Sequence, residues 1–217
     1  MNPLLLSLEV ATFSTVIAGA AALGVIALTQ GRRGARMLDA VLTAPLVLPP
    51  TVLGYYLLTV LGVRSALGSA FESVFGTSIV FTRTGAVIAA AVTAFPLVLQ
   101  SARAAVDAVE PRLLDAARTL GATRFSALRR VAFPLASRGL IAGLLLGFAR
   151  AVGDFGVTLM VAGNIPGETR TASLALYDAI LAGRESEAFS LAVTLTVFAV
   201  VLIAGVQWLS RRAHGSR

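Results

Sequence analysis

Two residues of opposite charge, Arg150 and Asp154, stand four positions apart in an apolar run from Gly139 to Ala162. On a helix this spacing places both side chains on one face, within reach of each other. At about 1.5 Å per residue, Arg150 lies roughly 17 Å along the run, near the middle of a bilayer. Charges at that depth are costly and usually meet a partner or a cavity. The pattern therefore predicts either a structural ion pair or direct contact with a solute that crosses the membrane.

Asp154 could also be a membrane-embedded catalytic aspartate, because Val152-Gly153-Asp154-Phe155 is similar to the surroundings of one. An aspartyl protease needs a second aspartate facing the first. The other aspartates fall outside the apolar runs or at their ends: Asp39, Asp107, Asp115 and Asp178. An intramembrane aspartyl protease is therefore a remote alternative, and we predict no catalytic residue.

Two further patterns concern the apolar runs themselves. Pro45, Pro49 and Pro50 interrupt the run over 40–63. Each removes a backbone donor, so they predict either a structural kink or a broken segment that lines a path. Glycines four residues apart predict close helix packing, within or between subunits: Gly139, Gly143 and Gly147.

The stretch from Glu110 to Pro134 is the most polar part of the chain. It is rich in arginine, and its apolar residues keep helical spacing in two groups, Leu113/Ala117/Leu120 and Phe125/Leu128. Gly121 separates the groups and is a poor helix former. We predict two short helices at an angle, the second over about 123–131.

Composition places these patterns in a membrane protein. The 217 residues are 57% hydrophobic and 13% charged, beyond the usual range of a soluble domain. We predict an all-α membrane protein with one domain over 1–217, a core over about 4–210, and a cytoplasmic loop at 110–134. Five runs are long enough to span a bilayer as helices: 4–28, 40–63, 79–100, 139–162 and 188–210.

The arginines predict how the chain crosses the membrane. Three lie between runs one and two, seven between runs three and four, and three after run five, against four on the other side. Positive residues accumulate on the cytoplasmic side. The N-terminus is therefore expected outside and the C-terminus in the cytoplasm.

Several functions are disfavoured. The net charge of +7 comes from arginines that flank apolar runs, so we expect a lipid bilayer and no nucleic acid as partner. No G-x-x-x-x-G-K-[ST] loop occurs, so the chain is not expected to hydrolyse ATP itself. Cysteine is absent, and we predict no metal site and no cofactor.

The polar stretch resembles the cytoplasmic signature of type I ABC importer permeases. The matching residues are D-A-A-x-x-x-G from Asp115 to Gly121 and V-A-F-P ending at Pro134. The family pattern begins with Glu where this chain has Asp115, and Val131 and Phe133 replace the usual Ile and Leu. The resemblance implies a coupling helix that docks on an ATPase. The implied coupling residues are Asp115, Ala116, Ala117, Gly121, Arg124, Phe125, Leu128 and Pro134.

Three other stretches resemble the molybdate-permease group of these importers: Ala44–Tyr55, Phe148–Gly156 and Asn164–Thr171. Asp154 stands where that group commonly has Glu. The resemblance implies a homodimer in the bacterial inner membrane, two ATPase subunits and a periplasmic oxyanion-binding protein. The cargo implied is molybdate or tungstate, with sulfate or another oxyanion as the alternative. The expected pathway residues are Pro49, Pro50, Arg150 and Asp154.

Overall fold

The computed structural model describes the backbone of residues 2–30 and 34–214, and within these ranges all regular structure is helical. The main helices are α1 (Pro3–Thr29), α2 (Ala35–Thr43), α3 (Pro50–Leu61), α4 (Ala66–Phe75), α5 (Arg83–Asp107), α6 (Pro111–Thr119), α7 (Arg124–Ala127), α8 (Phe133–Val152), α9 (Gly156–Ala162), α10 (Ala172–Leu181) and α11 (Glu185–His214). The predicted all-α class is confirmed. Arg32, Arg33 and Arg217, which entered the orientation argument, lie outside the described residues.

Among the described residues, four helical segments are long and apolar enough to cross a membrane: Pro3–Thr29, Arg83–Asp107, Arg124–Val152 and Glu185–Gln207. The first, third and fifth predicted runs correspond to α1, α5 and α11. α5 begins at Arg83 rather than Ile79, because the Thr82 hydroxyl accepts a hydrogen bond from the Gly85 N–H at 3.3 Å and caps the helix. It extends past Gln100 to Asp107, with Ala102 and Val106 buried in its last turns.

The second predicted run, over 40–63, is bent rather than straight. α2 continues into a 3-10 turn (Ala44–Leu46), and α3 then leaves at an angle of 106°. The bent pair provides up to a fifth span. Pro50 occupies the first position of α3, where a missing N–H breaks no helical hydrogen bond. The prolines therefore end one helix and begin the next.

The fourth predicted run, over 139–162, has the wrong bounds. α7, a π-helical turn (Leu128–Ala132) and α8 follow one another without a break, and this helix ends at Val152. Residues 153–155 are not helical, and α9 is a separate helix. Gly153 has low helix propensity, and Asp154 satisfies the first turn of the new helix, as described below.

The core is built from α1, α5 and α8, and small residues let their backbones approach closely. Gly139, Gly143 and Gly147 face α5 of the same chain. A Cβ at Gly139 would lie 2.5 Å from the Ala105 Cβ, and one at Gly143 would lie 2.8 Å from the Ser101 Cβ. A Cβ at Gly147 would overlap Val98. The ridge thus fastens α8 to α5.

The remaining helices surround this core. A second cluster joins α3 and α9 to α5 through Leu53, Ala89, Val157 and Val161. α11 rests on α8 through Phe198 and Phe148, whose ring centroids are 6.1 Å apart. Most of the apolar length of α11 is exposed, as expected of a helix that faces lipid.

Candidate coupling region and membrane pathway

The region over 110–134, called the coupling region below, begins with α6. Pro111 stands at its first position, which suits proline. The helix ends at Thr119, and Gly121, two residues later, has a φ of +86°, which favours glycine. The Gly121 N–H donates to the Arg118 carbonyl and the Ala122 N–H to the Ala117 carbonyl, both at 3.0 Å. This Schellman motif satisfies the last carbonyls of α6 and turns the chain sharply.

The second predicted helix, over about 123–131, is not separate. Thr123 caps its start, accepting from the Ser126 N–H at 3.2 Å, but the helix then runs on through the π-helical turn into α8. Leu128 and Ala132 are buried in the same core as α1 and α5. The segment after Gly121 is therefore the exposed beginning of the spanning helix.

The predicted coupling residues differ in exposure. Leu128 is buried and Ala117 is half-buried, whereas the others are exposed: Asp115, Ala116, Gly121, Arg124, Phe125 and Pro134. Phe125 is 61% exposed. Leu120 is 88% exposed, although the sequence pattern placed it only in the apolar group of the first short helix. Arg129 and Arg130 are exposed as well. The region presents apolar side chains among arginines, a composition suited to a protein partner.

Asp115, the residue that replaces the usual Glu, is engaged only loosely. Its Oδ1 lies 3.7 Å from the Arg118 guanidinium, and both side chains are largely exposed. Such a surface pair contributes little to stability.

At the end of α8, Arg150 and Asp154 form an ion pair with 3.0 Å between guanidinium nitrogen and Oδ1. The other carboxylate oxygen of Asp154 accepts from the Thr158 N–H at 3.0 Å and from the Thr158 hydroxyl at 2.6 Å. Asp154 is 1% exposed and Arg150 is 32% exposed. The carboxylate thus bridges the break between α8 and α9, while the guanidinium remains partly open.

The contacts of the glycine ridge show how far along the helix bundle the Arg150–Asp154 pair lies. Gly147 faces Ala94 and Val98, near the middle of the 25-residue helix α5. Arg150 follows three residues later, about 4.5 Å further along α8. The pair therefore lies at the level of the middle third of α5.

The two interrupted segments, α2–α3 and α8–α9, lie side by side. A Cβ at Gly156, the first residue of α9, would lie 2.8 Å from the Pro50 Cβ. A Cβ at Gly54 in α3 would lie 2.9 Å from the Met160 Cβ. Pro49 and Pro50 are exposed at the start of α3. Interrupted helices at mid-membrane depth occur where backbone lines a cavity or a protein interface, so this junction is the best candidate for a pathway.

The loop after α9 contains a turn at Pro166-Gly167. Gly167 has φ +79°, and the Glu168 N–H donates to the Ile165 carbonyl at 3.2 Å, as in a type II turn. The Arg83 guanidinium donates to the Gly167 and Glu168 carbonyls, each at 3.2 Å. The loop is thereby fastened to the beginning of α5.

Within residues 2–30 and 34–214, no group of three or more His, Cys, Asp or Glu side chains is placed to hold a metal ion. The carboxylate of Asp154 contacts Arg150 and Thr158. This arrangement differs from the paired carboxylates that an aspartyl protease requires.

The described helices form a polytopic bundle with four, or up to five, possible membrane spans, and comparison with known proteins gives its class. Residues 15–215 match the family model described as "Binding-protein-dependent transport system inner membrane component". The chain therefore belongs to this family of multi-pass inner-membrane proteins, which work within a transport complex.

Individual relatives are similar over most of the chain. The "Molybdenum transport system permease protein ModB" of Escherichia coli K12 is 43% identical over 179 residues, covering 82% of this chain and 78% of that protein. The "Putative molybdenum transport system permease protein YvgM" of Bacillus subtilis is 38% identical over 210 residues, covering 95% and 92%. The "Sulfate transport system permease protein CysT" of Salmonella typhimurium is 31% identical over 179 residues, covering 82% and 64%.

Solved structures support the fold. A chain described as "Inward facing conformations of the MetNI methionine ABC transporter" superposes with a TM-score of 0.74 at 17% identity, covering 97% of this chain and 94% of that one.

Proposed function

We propose that this chain is the membrane-spanning subunit of an ATP-driven importer that moves molybdate or tungstate into the cytoplasm. The observation that carries the proposal is the 43% identity to a molybdenum transport permease over 82% of the chain. Sulfate is the second candidate, and the sulfate relative is less similar and is covered over less of its length. Residues 1–217 would form one transmembrane domain.

The proposed complex contains two copies of this chain, two cytoplasmic ATPase subunits and a periplasmic oxyanion-binding protein. ATP-driven closure of the ATPase pair would push on the coupling regions and switch the pathway between its two openings. The junction of α3 with α9 would line that pathway, with Arg150 as a cation partly open to an anion.

Uptake by the complete reconstituted complex tests the cargo. Labelled molybdate should enter proteoliposomes only with ATP and binding protein, and unlabelled molybdate or tungstate should compete better than sulfate. Better competition by sulfate would assign the chain to the second candidate. No ATP-dependent uptake of any of the three oxyanions would refute the importer proposal for these cargoes.

The coupling region makes a separate prediction about the ATPase. If Phe125 is a hot spot of the interface, Phe125→Ala should weaken co-purification of the ATPase by roughly tenfold or more, because truncating an aromatic hot spot costs about 2 kcal/mol of binding. Phe75→Ala on α4 is the matched control, since Phe75 is 64% exposed but lies outside the coupling region. Equal retention of the ATPase by both variants would move the docking site elsewhere.

A further inference from the structure

A half-buried polar network joins three helices at the end of the bundle next to the coupling region. Arg103 lies on α5 and is 14% exposed. One terminal nitrogen of its guanidinium donates hydrogen bonds to Asp39 Oδ1 at 2.7 Å and to the Thr29 hydroxyl at 2.6 Å. Its other terminal nitrogen donates to Gln30 Oε1 at 3.2 Å. A single guanidinium thus ties α5 to the end of α1 and to α2.

The position of this network relates it to both proposed sites. Arg103 precedes Glu110, where the coupling region begins, by seven residues, or about 10 Å if the chain were helical throughout. Asp39 lies on α2, the half of the bent segment that leads towards Pro49 and Pro50. The Asp39–Arg103 contact therefore stands between the coupling region and the candidate pathway.

We propose that the Arg103–Asp39 ion pair is a strut that carries movement of the coupling region into the bent α2–α3 segment. This inference rests on the proposed importer function and makes both residues positioning residues. When the last turns of α5 move with α6, Arg103 moves Asp39, and α2 follows. The break at residues 47–49 then lets α2 change its angle to α3.

Two features favour a strut over simple packing. α2 has nine residues and exposes large apolar side chains, including Met37 and Val41, so packing alone holds it weakly within this chain. The Nε of Arg103 is buried without a hydrogen-bond partner. Burying a charged group with an unsatisfied donor is costly, and an apolar side chain would serve packing better. The planar guanidinium of arginine, by contrast, suits a site where one cation donates hydrogen bonds to several acceptors at once.

The test measures ATP hydrolysed per oxyanion imported by the complete complex in proteoliposomes. Asp39→Asn should raise this ratio at least about fivefold, the lower range of typical coupling between sites, because the ATPase still cycles while α2 no longer follows. Arg103→Lys keeps the charge but loses the planar guanidinium, and it should raise the ratio less. Glu187→Gln, which removes the exposed Arg184–Glu187 pair at the start of α11, should leave the ratio unchanged.

A covalent bridge separates a strut from a structural role. The chain has no cysteine, so Asp39→Cys with Arg103→Cys can be joined by a short bismaleimide. The bridge should bring the raised ratio back towards the wild-type value. A ratio unaltered by Asp39→Asn and Arg103→Lys, or still high after bridging, overturns the strut. If the wild-type complex imports no oxyanion, the proposed function fails instead, which is a different result.

Discussion

Asp154 contacts a different helix with each carboxylate oxygen. Oδ1 meets Arg150 in the last turn of α8, and Oδ2 receives both hydrogen bonds from Thr158 in α9. One buried carboxylate therefore sets the geometry of the break and also neutralises the arginine beside it. In a pathway for anions, this neutralisation would keep Arg150 from trapping its cargo.

The two contacts of Asp154 are separable by substitution. Arg150→Ala leaves a buried carboxylate without its cation and should lower the free energy of unfolding in detergent by about 3 kcal/mol. Thr158→Val should cost about 1 kcal/mol, because it removes one hydrogen bond and leaves the N–H donor in place. Denaturant unfolding followed by circular dichroism measures both.

The exchange of charges, Arg150→Asp with Asp154→Arg, provides the contrast. An arginine at position 154 cannot accept the Thr158 hydrogen bonds, so the exchange should not restore stability. Full recovery of the free energy of unfolding would mean that the ion pair stabilises the fold without the hydrogen bonds from Thr158.

At the residue scale, spacing predicted part of this site. The i,i+4 relation of Arg150 and Asp154 is visible in the sequence because helix geometry fixes it. The role of Thr158 was missed, because the same four-residue spacing crosses the helix break after Val152. The exposure of Leu120 was missed because the Schellman turn at Gly121 decides which side of α6 stays open.

At the scale of elements, α8 can approach α5 closely because glycines occupy the positions of α8 that face α5. Gly147→Ala should lower the free energy of unfolding by about 1–3 kcal/mol, because the added methyl would overlap Val98. Gly24→Ala in α1 is the matched control, since a Cβ there meets nothing within 4 Å. Gly24→Ala should leave the free energy of unfolding unchanged or raise it by up to about 1 kcal/mol, because alanine has the higher helix propensity. Similar losses for both variants would contradict the packing explanation.

Helix existence was predictable here, and helix interruptions were less so. Apolar length identified α1, α5 and α11, because burial in lipid requires it. The prediction of a single span over 139–162 was wrong because the apolar composition continues across residues 153–155, where Asp154 is the one charged residue. Pro134 lies two residues past the π-helical turn, within the continuous helix from Arg124 to Val152.

At the scale of the whole molecule, the arginine bias predicts the orientation. The chain contains no cysteine, so single cysteines report it directly. Glu168→Cys, in the loop after α9, should react with a membrane-impermeant maleimide added to intact spheroplasts. Thr119→Cys at the end of α6 should react only after lysis. Both positions are exposed, so accessibility from each side decides the result. The opposite labelling would invert the predicted topology.

The continuous helix from Arg124 to Val152 has a mechanical consequence. The glycine ridge fastens it to α5 between Gly139 and Gly147, and Leu128 and Ala132 are buried in the same core nearer its beginning. At about 1.5 Å per residue, the helix is roughly 42 Å long. A helix held at both levels does not pivot, and it transmits force along its axis as a rigid rod. A push on the coupling region would therefore arrive at the Arg150–Asp154 break as an axial displacement of similar size.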